Sequence, residues 1–129
     1  MFSHEKITKD LSRAKKFFED LVSYTIGPYT LDKMLKTELE KINILDVRDY
    51  ESYSDGHIPY AMHVPYDELD EHLEMLDKNK ITVIYTYGDT CPRAYKTALK
   101  ILDKNYPAVT LRGGFKKWKK FDFEITKTD

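Results

Sequence analysis

The sequence predicts an α/β fold with a mainly parallel sheet covered by helices on both faces. Short apolar runs bounded by charge lie at 42–47, 61–64, 81–85 and 108–111, and amphipathic stretches alternate with them. Runs of that length fit strands buried on both faces, and the helices between them make βαβ units. Length is the third observation: 129 residues suffice for one domain around one core.

Leu11, Ala14, Phe17, Phe18, Leu21 and Val22 recur at helical spacing among lysines and acids, which predicts an amphipathic helix over 11–22. Gly27-Pro28 breaks it. Thr30 is placed to cap a second helix over 31–40, with Leu31, Met34, Leu35 and Leu39 along one side. Strands follow at 42–47 and 61–64. A helix is expected over 66–75, a strand over 81–85, and a helix over 93–105 with Ala94, Thr97, Ala98, Ile101 and Leu102 on one face. The last strand, 108–111, leads to a short helix over 115–120; Gly113 and Gly114 permit the tight backbone before it, and Trp118 is expected to pack on the sheet.

Composition narrows the function classes. A chain 41% hydrophobic and 33% charged reads as a soluble globular protein, and no stretch approaches the roughly 18 apolar residues of a membrane span. The charged segment 1–16 lacks the uninterrupted apolar stretch of a signal peptide, so export is not expected. A single cysteine, Cys91, excludes an internal disulfide, and with His4, His57, His63 and His72 it shows no metal-ligand spacing. A reducing, cytoplasmic setting without metal or cofactor is the expectation. Twenty-one basic against 22 acidic residues give a net charge of -1, which favours neither nucleic acid nor an acidic membrane. Lys116, Lys117, Lys119 and Lys120 around Trp118 are the local exception, either a solvated helix face or an anion-attracting rim.

The loop TYGDTCPR, residues 86–93, joins the strand 81–85 to the helix after it. In open parallel sheets ligands bind beyond the carboxyl ends of the strands. There, free backbone N–H groups and a helix dipole favour an anion or a thiolate. Pro92 suits the first helical position, which puts Cys91 at or next to the N-cap with Arg93 beside it, where a thiol pKa falls. The plain alternative is that Cys91 only fills space, as small buried cysteines do. Tyr85, Tyr87 and Tyr95 cluster around this loop in sequence, as pocket wall or as core beneath it.

The stretch ILDVRDYESYSDGHIPYAMHVPYDEL, residues 44–69, resembles the N-terminal signature of rhodanese-like domains: a D-V-R strand end, an acidic helix, G-H-I-P, an alanine and a short strand. The likeness continues through VIYTYGDT and helix 93–105 to RGGFKKW at 112–118, which resembles the closing G-G-x-x-x-W element, and spans about residues 27–124. The segment RAKKFFEDLVSYTIGPYTLDKML, residues 13–35, also resembles a helical extension found in one subgroup, and the chain divides into an amphipathic helical extension, 1–25, and the domain, 26–129. The resemblance implies a five-stranded sheet and, in active members, a sulfurtransferase. In those, a loop cysteine takes the outer sulfur of thiosulfate or a related persulfide donor and passes it to cyanide, a thiol or a protein acceptor. The loop's backbone N–H groups would stabilise the anionic sulfur.

This sequence departs from that pattern where it matters most. The family's nucleophilic cysteine usually follows the strand directly, where Thr86 stands here, and a threonine cannot hold a persulfide. The loop is about two residues longer than the common form, and TYGDTCP aligns with the subgroup's C-W-G-x-x-C-N with only the second cysteine kept. Three explanations stay open. Cys91 has taken over as nucleophile, with Arg93 attracting the donor and Thr86, Tyr87, Gly88, Asp89 and Thr90 forming the binding loop; the domain is an inactive binding or regulatory module; or its function never needed a thiolate. A phosphatase reading fails on geometry, because the single residue between Cys91 and Arg93 cannot wrap a phosphate. Asp46, Arg48 and His57 match the D-V-R and G-H-I-P positions and read as scaffold near the site. The amphipathic helix over 11–22 either packs on its own sheet or pairs with a second copy to form a homodimer.

Overall fold

The computed structural model describes residues 9–128. Its elements are α1 (Leu11–Ser23), β1 (Thr25–Ile26), α2 (Pro28–Thr37), β2 (Ile42–Asp46), α3 (Tyr50–Asp55), β3 (Met62–His63), α4 (Leu69–His72), β4 (Ile81–Tyr85), α5 (Arg93–Asp103), β5 (Ala108–Leu111) and α6 (Gly114–Lys120). The five strands form one sheet in the order β1-β5-β4-β2-β3, and every pairing is parallel. The α/β class, the parallel sheet and the count of five strands agree with the sequence reading.

Side-chain alternation explains why the central strands carry apolar residues on both faces. Ile42 and Ile44 of β2 join Val83 and Tyr85 of β4 on one face, with Leu31 of α2, Ile58 and Trp118 of α6. Leu45 and Ile84 point to the other face, where they meet Leu69, Leu73, Ala94 and Ile101. Both faces are covered, so the polar members of these strands are buried as well and paired: Asn43 donates to Thr82 Oγ1 at 3.2 Å and Asp46 accepts from Arg48. Trp118 is fully buried, as expected, and its indole N–H donates to Glu124 O at 2.9 Å.

Several local expectations need correction. The second helix begins at Pro28 with Gly27 as its cap; Thr30 lies inside it, because a proline at the first helical position needs no N–H and starts the helix earlier. That helix stops at Thr37, and Leu39 belongs to a separate 3-10 turn, Leu39–Lys41. The helix expected over 66–75 is three short pieces, broken where Glu68 (ψ 7°) and His72 (φ -129°) leave helical geometry. Leu69 and Leu73 still reach the core, so the apolar spacing was real while the backbone was not one helix. The strand β1 has no counterpart in the sequence reading. It contains Thr25, the last residue of the expected extension, and pairs Thr25 with Thr110 and Ile26 with Leu111.

All strands run the same way, so their carboxyl ends share one edge of the sheet. The chain leaves β2 for β3 on one side and leaves β4 for β5 on the other. The crevice between the ends of β2 and β4 is therefore the topological switch point, where such sheets bind ligands.

Candidate functional site

Residues 86–92 leave β4 at this switch point. Thr86, the first of them, is 2% exposed, and its hydroxyl donates toward Cys91 Sγ at 3.5 Å. The chain turns tightly to bring this about: Cys91 N–H donates to Gly88 O at 3.2 Å. Pro92 is the N-cap of α5, so Cys91 stands one residue before the cap, and Pro92 is not the first helical residue as the sequence suggested. The guanidinium Nη1 of Arg93 stands 4.0 Å from the sulfur. Partial burial works against the Cys91 thiolate. The Thr86 hydroxyl, the Arg93 N–H and the Arg93 charge outweigh it, and the thiol pKa is held below its ordinary value.

The loop is pinned on both flanks. The Tyr87 hydroxyl donates to the Asp49 carboxylate and accepts the Asp49 N–H at 3.3 Å, tying the end of β4 to the cap of α3. That phenol bond, helped by the Ser52 N–H, lowers the Asp49 pKa to about 2. Asp89 accepts the Gly113 N–H at 2.7 Å, tying the loop to the turn before α6. The first N–H groups of α6 close the arrangement: Phe115 N–H donates to Thr86 O and Lys116 N–H to Tyr87 O, each at 2.9 Å.

Asp46 and Arg48 sit beneath the loop, 0% and 4% exposed. Arg48 Nη2 donates to the Asp46 carboxylate at 2.8 Å and to Gly56 O at 2.6 Å, and the guanidinium lies 4.2 Å from the centre of the Phe115 ring. His57 is buried, donates from Nδ1 to Tyr53 O at 2.8 Å, and stacks on the Tyr53 ring at 3.8 Å. Of the three tyrosines near the loop in sequence, Tyr85 is core, Tyr87 is the tie to Asp49, and Tyr95 faces outward on α5.

Two clefts flank the loop. One, of about 310 Å³, is lined by Gly88, Asp89, Thr90, Gly113, Lys116, Lys117 and Lys120. The other, of about 210 Å³, is lined by Asp49, Asp67, Tyr87 and Arg93 among others. Sequence reasoning noted the lysines of α6 but not that they share a cleft with the loop, and it missed Asp49 altogether. The G-G turn before the lysine run was the only signal for the first, and nothing local marks the second. Among the described residues no group of three or more His, Cys, Asp or Glu side chains is placed to hold a metal. His4 lies outside the described residues. No described helix is long and apolar enough to cross a membrane.

With this geometry in view, comparison with known proteins places the chain in a family. The rhodanese-like domain profile matches residues 28–121, and the chain belongs to that family. It is 35% identical over 79 residues to the thiosulfate sulfurtransferase GlpE of Coxiella burnetii, covering 60% of this chain and 72% of that one. It is 28% identical over 79 residues to the putative sulfurtransferase YtwF of Bacillus subtilis, covering 61% and 75%. Among solved structures, the BH2092 protein of Bacillus halodurans superimposes with a TM-score of 0.82 at 30% identity over 91% of this chain and 86% of that one. A rhodanese-like domain protein of Staphylococcus aureus gives 0.71 at 28% identity, over 81% and 98%.

Proposed function

We propose that the chain is a sulfurtransferase whose sulfur carrier is Cys91, displaced along the loop from the usual strand-end position. The observation that supports it most is the convergence of the Thr86 hydroxyl, at 3.5 Å, and the Arg93 guanidinium Nη1, at 4.0 Å, on Cys91 Sγ. Thr86 then does not replace the nucleophile; it supplies a hydrogen bond to it. The relative GlpE, a thiosulfate sulfurtransferase, lends thiosulfate as the donor.

In the reaction, Cys91 thiolate attacks the outer sulfur of thiosulfate. A bond forms between the two sulfurs, the thiosulfate S–S bond breaks, and sulfite leaves with the electron pair. A thiolate or cyanide acceptor then attacks the outer sulfur of the Cys91 persulfide, and the electron pair returns to Cys91. Each step is a displacement at sulfur and needs no cofactor. Arg93 draws the anionic donor, residues 86–90 shape the loop, and Asp46, Arg48 and His57 hold the strand ends under it.

Intact-mass analysis after thiosulfate treatment tests this reading. The native chain gains one sulfur and Cys91→Ser does not. The competing reading, a binding module without a covalent step, is favoured by the buried threonine at the position where relatives with the usual pattern carry cysteine. It predicts no adduct on the native chain and an adduct on Thr86→Cys.

The extension 1–25 is proposed to serve assembly as a homodimer. Phe17 and Phe18 of α1 are 58% and 60% exposed, and Leu99 and Leu102 of α5 are 67% and 49% exposed. Phe17 and Leu21 edge an apolar groove with Ala98, Leu99 and Leu102. Each copy thus offers both an apolar helix edge and an apolar groove beside it, which a two-fold exchange would bury. Phe18→Glu with Leu99→Glu converts a dimer into a monomer in sedimentation analysis; a native chain that sediments as a monomer removes the idea.

A further inference from the structure

We infer that the lysine face of α6 is the docking surface for an acidic protein acceptor, which presents its thiol to the sulfur on Cys91. The inference rests on the sulfur-transfer reading for what is delivered, and on charge and geometry for where the acceptor lands. Lys116, Lys117, Lys119 and Lys120 are all exposed on a helix of seven residues with no acid. None of them forms an ion pair among the described residues. The molecule as a whole carries a net charge of -1, so this positive edge is local. Acidic residues gather elsewhere, at Asp67, Glu68, Asp70, Glu71 and Glu74. Separation of that kind orients an approaching charged partner.

The lysines divide between two clefts. Lys116, Lys117 and Lys120 line the one that contains Gly88, Asp89 and Thr90, the residues that lead directly into Cys91. Lys119 lines the neighbouring one with Lys127, beside Ser52, Asp55 and the Arg48 already paired with Asp46. Positive charge on both flanks of one helix suits an extended acidic surface better than a compact anion. A compact anion would want the free N–H groups at the start of α6, and those of Phe115 and Lys116 are already taken by Thr86 O and Tyr87 O. Nucleic acid is the less fitting polyanion, because Trp118, the aromatic within the lysine run, is fully buried and offers no face for a base. A partner seated against Gly88 to Thr90 rests on the three residues that immediately precede Cys91, and a thiolate at its edge is brought to the persulfide. Its sulfur attacks the outer sulfur of Cys91, the Cys91 S–S bond breaks, and the electron pair returns to Cys91 as the acceptor becomes a persulfide.

Two measurements separate this inference from the reading beneath it. In the first, the full chain without sulfur is titrated into a fluorescent peptide of alternating Glu and Ser, and anisotropy reports binding. Binding is expected in low salt, with a loss of on the order of tenfold in 0.5 M salt and a similar loss in Lys116→Glu/Lys117→Glu/Lys120→Glu. Equal binding by that variant, or tighter binding of an oligonucleotide of equal charge, overturns the docking surface whatever Cys91 does. In the second, Cys91 is first loaded with sulfur and then discharged to a Cys-containing peptide flanked by glutamates or by serines. Discharge to the acidic peptide is expected to be about tenfold faster, and the triple variant to lose the difference. Equal rates for the two peptides overturn the inference, whereas failure to load any sulfur overturns the sulfurtransferase reading and leaves the anisotropy result standing.

Discussion

Thr86 decides how the site is understood. At the end of β4 it occupies the place of a nucleophile, yet it is buried and turned so that its hydroxyl meets Cys91 Sγ. A hydrogen bond to a charged acceptor contributes roughly 1.5–3 kcal/mol, and less where solvent reaches the sulfur. Thr86→Val keeps the shape and removes the donor. Iodoacetamide should therefore label Cys91 more slowly at neutral pH, by about threefold to tenfold, with the pH profile displaced upward; Thr86→Ser should restore it. An unchanged profile in Thr86→Val would mean that the hydroxyl does not act on the thiolate. The Tyr87 tie is also lost in acid, but only well below neutrality. The Asp49 pKa is lowered in the fold, so its contribution is fully present above the unfolded value of about 4 and is lost as pH falls toward about 2. Loss of sulfur loading as pH falls through the lowered Cys91 pKa should thus follow protonation of the thiolate, well above the range in which Asp49 protonates, and remain in Tyr87→Phe. Little of this was legible in the sequence. The placement of Cys91 beside a helix start followed from Pro92 and the loop, but the contact between Thr86 and Cys91 follows from a turn closed by Gly88 O. Asp49 meets Tyr87 from another segment, with no periodicity to announce it.

Among the elements, α6 does more than cover the sheet. Its start is pressed onto the loop: a Cβ on Gly114 would lie 2.7 Å from Thr86 O and 2.8 Å from Gly88 N, and the residue has φ +57°. Gly114→Ala has no flexible neighbour to displace, only backbone. It should cost more than about 1 kcal/mol in denaturant unfolding and should also slow sulfur loading, because the strand end must move. Normal loading would show that α6 and the loop are not mechanically joined. The longer elements were readable because burial repeats along them: β4 and β5 match the apolar runs residue for residue, and α5 keeps Ala94, Thr97 and Ile101 buried at helical spacing. The short ones were not. Two residues of β1 are too few to set a period, and they are a strand only because β5 lies beside them. The break of the 66–75 segment into pieces is invisible to a pattern that reports which side chains are buried, since Leu69 and Leu73 are buried either way.

For the molecule as a whole, the parallel sheet gathers three loops at one edge, and the buried Asp46–Arg48 pair joins them from below. Arg48 reaches the Asp46 carboxylate and Gly56 O, and packs on Phe115 of α6. Removing one member leaves a buried charge without its partner, at a cost of about 3–5 kcal/mol. Arg48→Met should lower stability by that order in chemical denaturation and should disorder the loop region first in hydrogen exchange. A loss under about 1 kcal/mol would mean that the pair only decorates the fold. The same edge carries the Cys91 loop and the lysines of α6, so in the proposed reaction donor, carrier and acceptor meet at the strand ends. Single-turnover sulfite release asks whether this edge performs the chemistry assigned to it. With thiosulfate limiting and the chain in excess, sulfite should appear in step with persulfide mapped to Cys91, and Cys91→Ser should release none. Sulfite released equally by Cys91→Ser, or no sulfite from the native chain, would contradict the assignment of Cys91 as the sulfur carrier.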